Sequence, residues 1–356
     1  MALQGFTRIA GITALLLVIC VVMMTIKPVF VHELNLANLM RWTGLFGILA
    51  LGVAFVIITG GIDLSIGSVV ALTGITLMYL LQEPAMNPVL AVCITLLVGV
   101  GIGLFHGFLI GYCKLQSFVV TLCGLMAYRG IARWISDDLT LSLGPGFDGL
   151  RYLASGEPFS IPIPFIGMIS ASGGDEGGSF LTWVAVPMPM LILLVLAVLS
   201  AILLHKSVIG RYLLALGRNE EAARYSGIDT KKMTLFAYIF CSTLAAMGGI
   251  LFALDINTVQ PSSMGNFYEL YAIAAAVLGG CSLRGGVGSI AGVVIGTAVM
   301  RSLYNAINLL EYPTYWEYII IGGVLLIGVM IDEIGRQVIA KIKTQRRKRM
   351  LKESSA

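Results

Sequence analysis

Two glycine-rich stretches interrupt long apolar runs, and each carries one charge. They are Gly60-Gly61-Ile62-Asp63-Leu64-Ser65-Ile66-Gly67-Ser68 and Gly279-Gly280-Cys281-Ser282-Leu283-Arg284-Gly285-Gly286-Val287-Gly288-Ser289. A helix broken in this way bares backbone N–H and C=O groups, which a membrane interior tolerates only against protein or a water-filled path. The expected chemistry is passage of a solute, lined by Gly60, Gly61, Asp63, Ser65, Gly67, Ser68, Gly279, Gly280, Arg284, Gly285 and Gly286. Asp63 and Arg284 are the only charges in the breaks, and a charge left unpaired near the membrane centre is expensive. The residues leave three readings open: the two pair with each other, they cap helix ends, or they sit in turns at the cytoplasmic surface. Both breaks show a Gly pair, a central charge and a Gly-Ser opening the next helix, which suggests an internal repeat with its copies in one orientation.

A third stretch, Gly217-Arg218-Asn219-Glu220-Glu221-Ala222-Ala223-Arg224-Tyr225-Ser226-Gly227-Ile228, reads as a short surface helix. Asn219 is suited to the N-cap, Glu220 and Glu221 to the positive helix start, and Gly227 to a left-handed stop. By itself it could be a plain link between two spans. Chemistry of other kinds is missing. No lysine follows a glycine, so the GxxxxGK[ST] phosphate loop is absent, and there is no HExxH pair or GxSxG elbow. His106 stands among Gly101, Gly103, Gly107 and Gly111, where packing or a hydrogen bond accounts for it better than a ligand role. The six cysteines show no CxxC spacing and no grouping with the three histidines, so neither a disulfide framework nor a zinc site is expected.

The elements that must position these stretches follow from composition. Of 356 residues, 58% are hydrophobic and 12% charged, with mean hydropathy +0.92, too little polar side chain to cover a soluble globule. The expected fold is an all-α, polytopic helical membrane protein of about ten transmembrane helices with two broken or re-entrant segments. The spans fall near 9–26, 43–59, 66–81, 89–113, 117–135, 187–204, 232–254, 269–281, 289–310 and 316–334. Lysine and arginine crowd the connection at 205–231 and the basic tail at 336–356, which places both, and both termini, in the cytoplasm. The transmembrane domain covers 1–335, with an extracytoplasmic insert at 136–186 long enough to form a small cap. Lys27, Arg41 and Arg151 run against this charge bias. Trp42, Trp134, Trp183 and Trp316 read as interfacial anchors. The tail suits anionic lipid headgroups and, lacking interleaved aromatics, gives no reason to expect nucleic acid as a partner.

The GRNEEAARYSGI stretch resembles the coupling loop of permease subunits of bacterial ABC importers in the ribose/xylose/galactose group. Both glycine breaks, and Phe118-Val119-Val120-Thr121-Leu122 leading to Tyr128-Arg129-Gly130, extend the resemblance over nearly the whole chain. The resemblance implies a multi-pass protein of the bacterial inner membrane that is no enzyme itself. Gly217, Arg218, Asn219, Glu220, Glu221, Ala222, Ala223, Arg224 and Gly227 would dock on a cytoplasmic ABC ATPase. ATP and Mg would be bound by that partner, so this chain would hold no cofactor. The other implied partners are an extracytoplasmic solute-binding protein and a second copy or a related permease, in a lipid bilayer. The implied solute is a monosaccharide. A branched-chain amino acid or signalling-sugar permease and an ion-coupled secondary transporter are the competing readings. The insert between Asp137 and Pro187 is longer than the family pattern, which bears on how a binding protein would dock.

Overall fold

The structure is a computed structural model that describes residues 2–83, 86–164 and 181–313, together with 315–320 and a few positions up to 330. The helices are α1 (Ala2–Ile26), α2 (Glu33–Ile58), α3 (Ile66–Gln82), α4 (Pro88–Gly111), α5 (Ser117–Ile135), α6 (Asp148–Ser155), α7 (Met188–Lys206), α8 (Val208–Arg218), α9 (Glu220–Tyr225), α10 (Thr230–Ile256), α11 (Tyr268–Leu278) and α12 (Ile290–Leu309). Among the described residues, seven helices are long and apolar enough to cross a membrane, and α3 and α11 are shorter apolar helices. Nine of the ten expected spans therefore coincide with helices. The tenth, 316–334, is described only in part, at 316–320 and a few positions up to 330.

The core is built on α2 and α10. Both cross the whole bundle, and α2 is buried on every side from Thr43 to Ile58. Such all-round burial explains why its sequence shows no polar face. α4 lies along α10 through a ladder of glycines at every fourth position. A Cβ on Gly99 would meet Ala246, one on Gly103 would meet Ile239, one on Gly107 would meet Leu235 and one on Gly111 would meet Lys231. Residues four apart share a helix face, so this stripe lets two backbones close on each other. Gly101, on the opposite face, touches nothing.

Four short strands depart from the all-α expectation. β1 (Leu141–Ser142) pairs antiparallel with β4 (Thr258–Val259), and β2 (Phe159–Pro164) pairs antiparallel with β3 (Leu181–Val186). With α6, β1, β2 and β3 give the described part of the insert its own structure. The arginines that defied the charge bias are engaged there: Arg41 meets Glu157 at 3.0 Å and Asp255 at 3.8 Å, and Arg151 Nε donates to the Leu254 carbonyl. Trp134 and Trp183 are well exposed, as anchors would be, whereas Trp42 packs on Phe46 and Phe252 inside an aromatic cluster. The expected repeat is only partial. α11 and α12 pack against each other, but α2 and α3 diverge, with α3 lying on α10 and α5 instead.

Candidate functional site

Both glycine breaks begin with the same device. α2 ends with the Gly60 N–H on the Ile57 carbonyl and the Gly61 N–H on the Val56 carbonyl, with Gly60 at φ +85°. α11 ends with the Gly280 N–H on the Val277 carbonyl and the Cys281 N–H on the Ala276 carbonyl, with Gly280 at φ +87°. This is the Schellman closure, whose left-handed position favours glycine because a Cβ there crowds the backbone. α9 closes the same way at Gly227, φ +84°, and opens with Asn219 Oδ1 accepting from the Ala222 N–H at 2.9 Å.

The three stretches meet. The Gly286 N–H donates to the Ile58 carbonyl at 2.8 Å, tying the second break to the end of α2. A Cβ on Gly217, near the end of α8, would collide with that same carbonyl and with the Gly286 nitrogen. A Cβ on Gly285 would stand 2.7 Å from the Gly217 oxygen and 2.8 Å from the Gly60 nitrogen. Arg218 Nε donates to the Gly286 carbonyl at 3.3 Å. Four glycines thus bring three chain segments into backbone contact at one junction. Beside it, Lys114 Nζ reaches Glu220 at 2.6 Å, and that ammonium holds the Glu220 carboxyl below its ordinary pKa. Glu221, Ala222 and Arg224 lie exposed on α9, while Ala223 packs inward.

Asp63 and Arg284 are kept apart. Asp63 is 1% exposed, and its Oδ1 accepts from the Ser65 N–H at 2.9 Å and the Ser65 hydroxyl at 2.6 Å. Arg284 is exposed in a turn closed by the Gly285 N–H on the Ser282 carbonyl. Of the three readings, Asp63 follows the helix-end one, since its charge lies at the positive start of α3. It is no surface turn, because its carboxylate faces the Cys241 thiol, about 17 Å along an α10 about 40 Å long. Its Oδ2 has no hydrogen-bond partner among the described residues. Ser68 donates to the Ser65 carbonyl at 2.7 Å within the same start of α3.

Residues outside the glycine patterns hold the first break in place. The Ile62 N–H donates to Ser117 Oγ, while Thr121 and Tyr238 hydroxyls donate to the Ile62 carbonyl. His106 Nε2 bonds the Tyr128 hydroxyl at 2.8 Å, in keeping with the packing reading, while its buried Nδ1 has no partner among the described residues. Gly67 touches Gly265 backbone to backbone, and Arg129 Nη1 donates to the Pro261 and Met264 carbonyls. Ser117, Thr121 and Tyr128-Arg129 lie in or beside the Phe118–Gly130 stretch that already stood out. Tyr238 and the Pro261–Gly265 stretch carried no sequence signal of their own.

Comparison with known proteins matches this arrangement to one family. A family described as the permease component of branched-chain amino acid transport systems matches residues 35–329. The xylose transport system permease protein XylH of Escherichia coli K12 is 34% identical, covering 93% of this chain and 92% of its own. The ribose import permease protein RbsC is 33% identical both in Escherichia coli K12, over 89% of this chain and 91% of its own, and in Bacillus subtilis, over 89% and 90%. No solved structure matches. A chain with breaks that meet a short surface helix, and with relatives of this kind along most of its length, belongs to the family of transport-system permease components and is the membrane subunit of an ABC importer, not an enzyme.

Proposed function

We propose that this subunit passes a monosaccharide across the bacterial inner membrane, receiving it from a binding protein on one side and energy from an ATPase on the other. The observation that carries this is the junction of Ile58, Gly60, Gly217, Gly285 and Gly286, with α9 at its edge. α9 is the docking helix for the ATPase. When the ATPase closes, α9 and the end of α8 move, and backbone contact at Gly217 passes the displacement to α2 and to the second break. The breaks act as re-entrant segments, and both termini lie in the cytoplasm with α9. A second permease completes the path. The names of the relatives favour a pentose.

The test is reconstitution of the chain in liposomes with its ATPase and binding protein. ATP-dependent uptake of xylose or ribose, with ATP hydrolysis stimulated by the loaded binding protein, is the expected result. Uptake driven by an ion gradient in the absence of any ATPase overturns the reading, and ATP-dependent uptake of leucine but not of pentose overturns the sugar assignment.

A further inference from the structure

After α10 the chain turns back into the protein instead of leaving it. Val259 pairs with Leu141 near the end of α10, but Gly265 crosses Gly67, the second residue of α3. From Gly67 to Gln82 α3 rises about 23 Å, so Gly265 lies deep within an apolar layer about 30 Å thick. The stretch is irregular. Its turns are closed by the Met264 N–H on the Gln260 carbonyl at 2.9 Å and the Asn266 N–H on the Ser263 carbonyl at 3.2 Å, and Arg129 tethers it from α5.

One side of this stretch, Pro261, Met264 and Gly265, is buried against α3 and α5. The other side exposes Gln260, Ser262, Ser263, Asn266 and Phe267. Phe267 is held at φ +65°, a costly conformation for an aromatic residue; the residue is 46% exposed, and its ring makes an edge contact with Tyr318. Two polar contacts are internal: Ser263 Oγ donates to Gln260 Oε1, and Asn266 Nδ2 donates to the Ser262 carbonyl. Gln260 Nε2, Asn266 Oδ1 and Ser262 Oγ have no partner among the described residues.

Such groups facing hydrocarbon would cost a few kcal/mol each, so at this depth they face water or solute. The set is one donor, one acceptor and one hydroxyl that is both, beside an aromatic ring. No residue from Asn257 to Phe267 is charged. A sugar hydroxyl both donates and accepts, and its C–H faces lie well on a ring. An amino acid zwitterion would need free charges to replace its hydration, and the two that lie against this stretch are already taken up: Arg129 is bonded to the Pro261 and Met264 carbonyls and Glu269 is buried.

We propose that Gln260, Ser262, Asn266 and Phe267 form a contact site for a neutral polyhydroxy solute within the membrane-spanning part of the path. The proposal rests on the monosaccharide reading above and names where that solute touches this chain.

Single cysteines at Ser262 and Asn266, in the full transporter with its ATPase and binding protein in membrane vesicles, test it. A charged, impermeant methanethiosulfonate is applied, and labelling is compared with the parent chain, whose Cys93, Cys113 and Cys123 are exposed. Both positions are expected to label, and saturating pentose with binding protein is expected to slow labelling at least about fivefold. Gln260→Ala and Asn266→Ala are expected to lower the uptake rate about five- to tenfold, the scale of one lost hydrogen bond, with the ATPase still co-purifying. Absence of labelling, labelling that pentose leaves unchanged, or normal uptake in both alanine variants overturns the site. If the parent chain carries no pentose, the monosaccharide reading fails first, and labelling repeated with the solute that it does carry decides the site separately.

Discussion

Gly217→Ala is the sharpest probe of the junction. The added methyl would overlap the Ile58 carbonyl and the Gly286 nitrogen, both backbone atoms that cannot swing aside. Restoring an ordinary carbon–oxygen contact requires the ends of α8 and α2 to part by about 1.5 Å. That movement breaks the 2.8 Å bond from Gly286 to Ile58. Overpacking of this kind costs about 1–3 kcal/mol, and leaving both bond partners unsatisfied adds about 1–3 kcal/mol. The expected sum, about 2–6 kcal/mol, falls on the contact that links α9 to the breaks. Two measurements follow: melting temperature in detergent, which should fall by several degrees, and solute transported per ATP hydrolysed, which should fall at least tenfold. Gly101→Ala is the control, since nothing lies within 4 Å of its added methyl. A Gly217→Ala transporter with normal coupling and normal melting refutes the reasoning.

Three further outcomes are expected. Asp63→Ala should destabilise the chain by about 1–3 kcal/mol in thermal melts, because it strips two acceptor contacts from Ser65; and if Asp63→Arg is lethal to assembly, adding Arg284→Asp should not restore it, rescue being evidence for a pair that the geometry denies. Lys114→Ala should change stability by less than about 1 kcal/mol, as the pair with Glu220 is half exposed. Because the Glu220 pKa is lowered from 4.5, the small contribution is complete above that value and vanishes as pH falls through the lowered one, so a loss between pH 8 and 6 in pH-dependent melts would contradict the assignment. Gly103→Ala should lower melting by about 1–3 kcal/mol equivalents, since its methyl meets the Ile239 backbone at 2.5 Å, and a neutral result would mean that α4 and α10 are not in backbone contact.

Hydropathy alone located nine of the helices, because the length of an apolar run is a physical requirement of the bilayer. The caps were equally legible: Asn219 and Gly227 do locally what their residue types favour. Contact between distant segments was not legible. Gly217, Gly285 and the carbonyl of Ile58 meet through backbone atoms, which leave no pattern beyond glycine itself, and glycine is common throughout this chain. The same holds for Arg129, whose two acceptors are carbonyls more than a hundred residues away. The charge pair, one of the readings open for Asp63 and Arg284, is not formed; one carboxylate oxygen is instead held by the Ser65 N–H and hydroxyl at the start of α3. The strands escaped notice because short two-stranded pieces in a Gly- and Pro-rich insert carry too few residues for an alternating pattern.

α2 explains why the first break is the place to bend. It runs about 39 Å from Glu33 to Ile58, with the junction at one end and Arg41 on Glu157 of the insert near the other. Close-packed on all sides from Thr43 to Ile58, that part of α2 is expected to move as a rod when its Ile58 end is displaced. α3 does not pack on α2, and Thr59–Ser65 is the only covalent link between them. Relative movement of the two helices must therefore be absorbed by dihedral change in that link, and Gly60 at φ +85° is its least restrained point. Space is not limiting there, the nearest atom to an added Cβ being 3.7 Å away. The cost of replacing Gly60 is then conformational, about 1–2 kcal/mol for a β-branched residue and less for asparagine, which tolerates the left-handed region. Uptake should consequently fall in the order Gly60→Asn, Gly60→Ala, Gly60→Val, with melting temperature following the same order, and equal loss in all three would show that crowding and not backbone geometry governs the hinge.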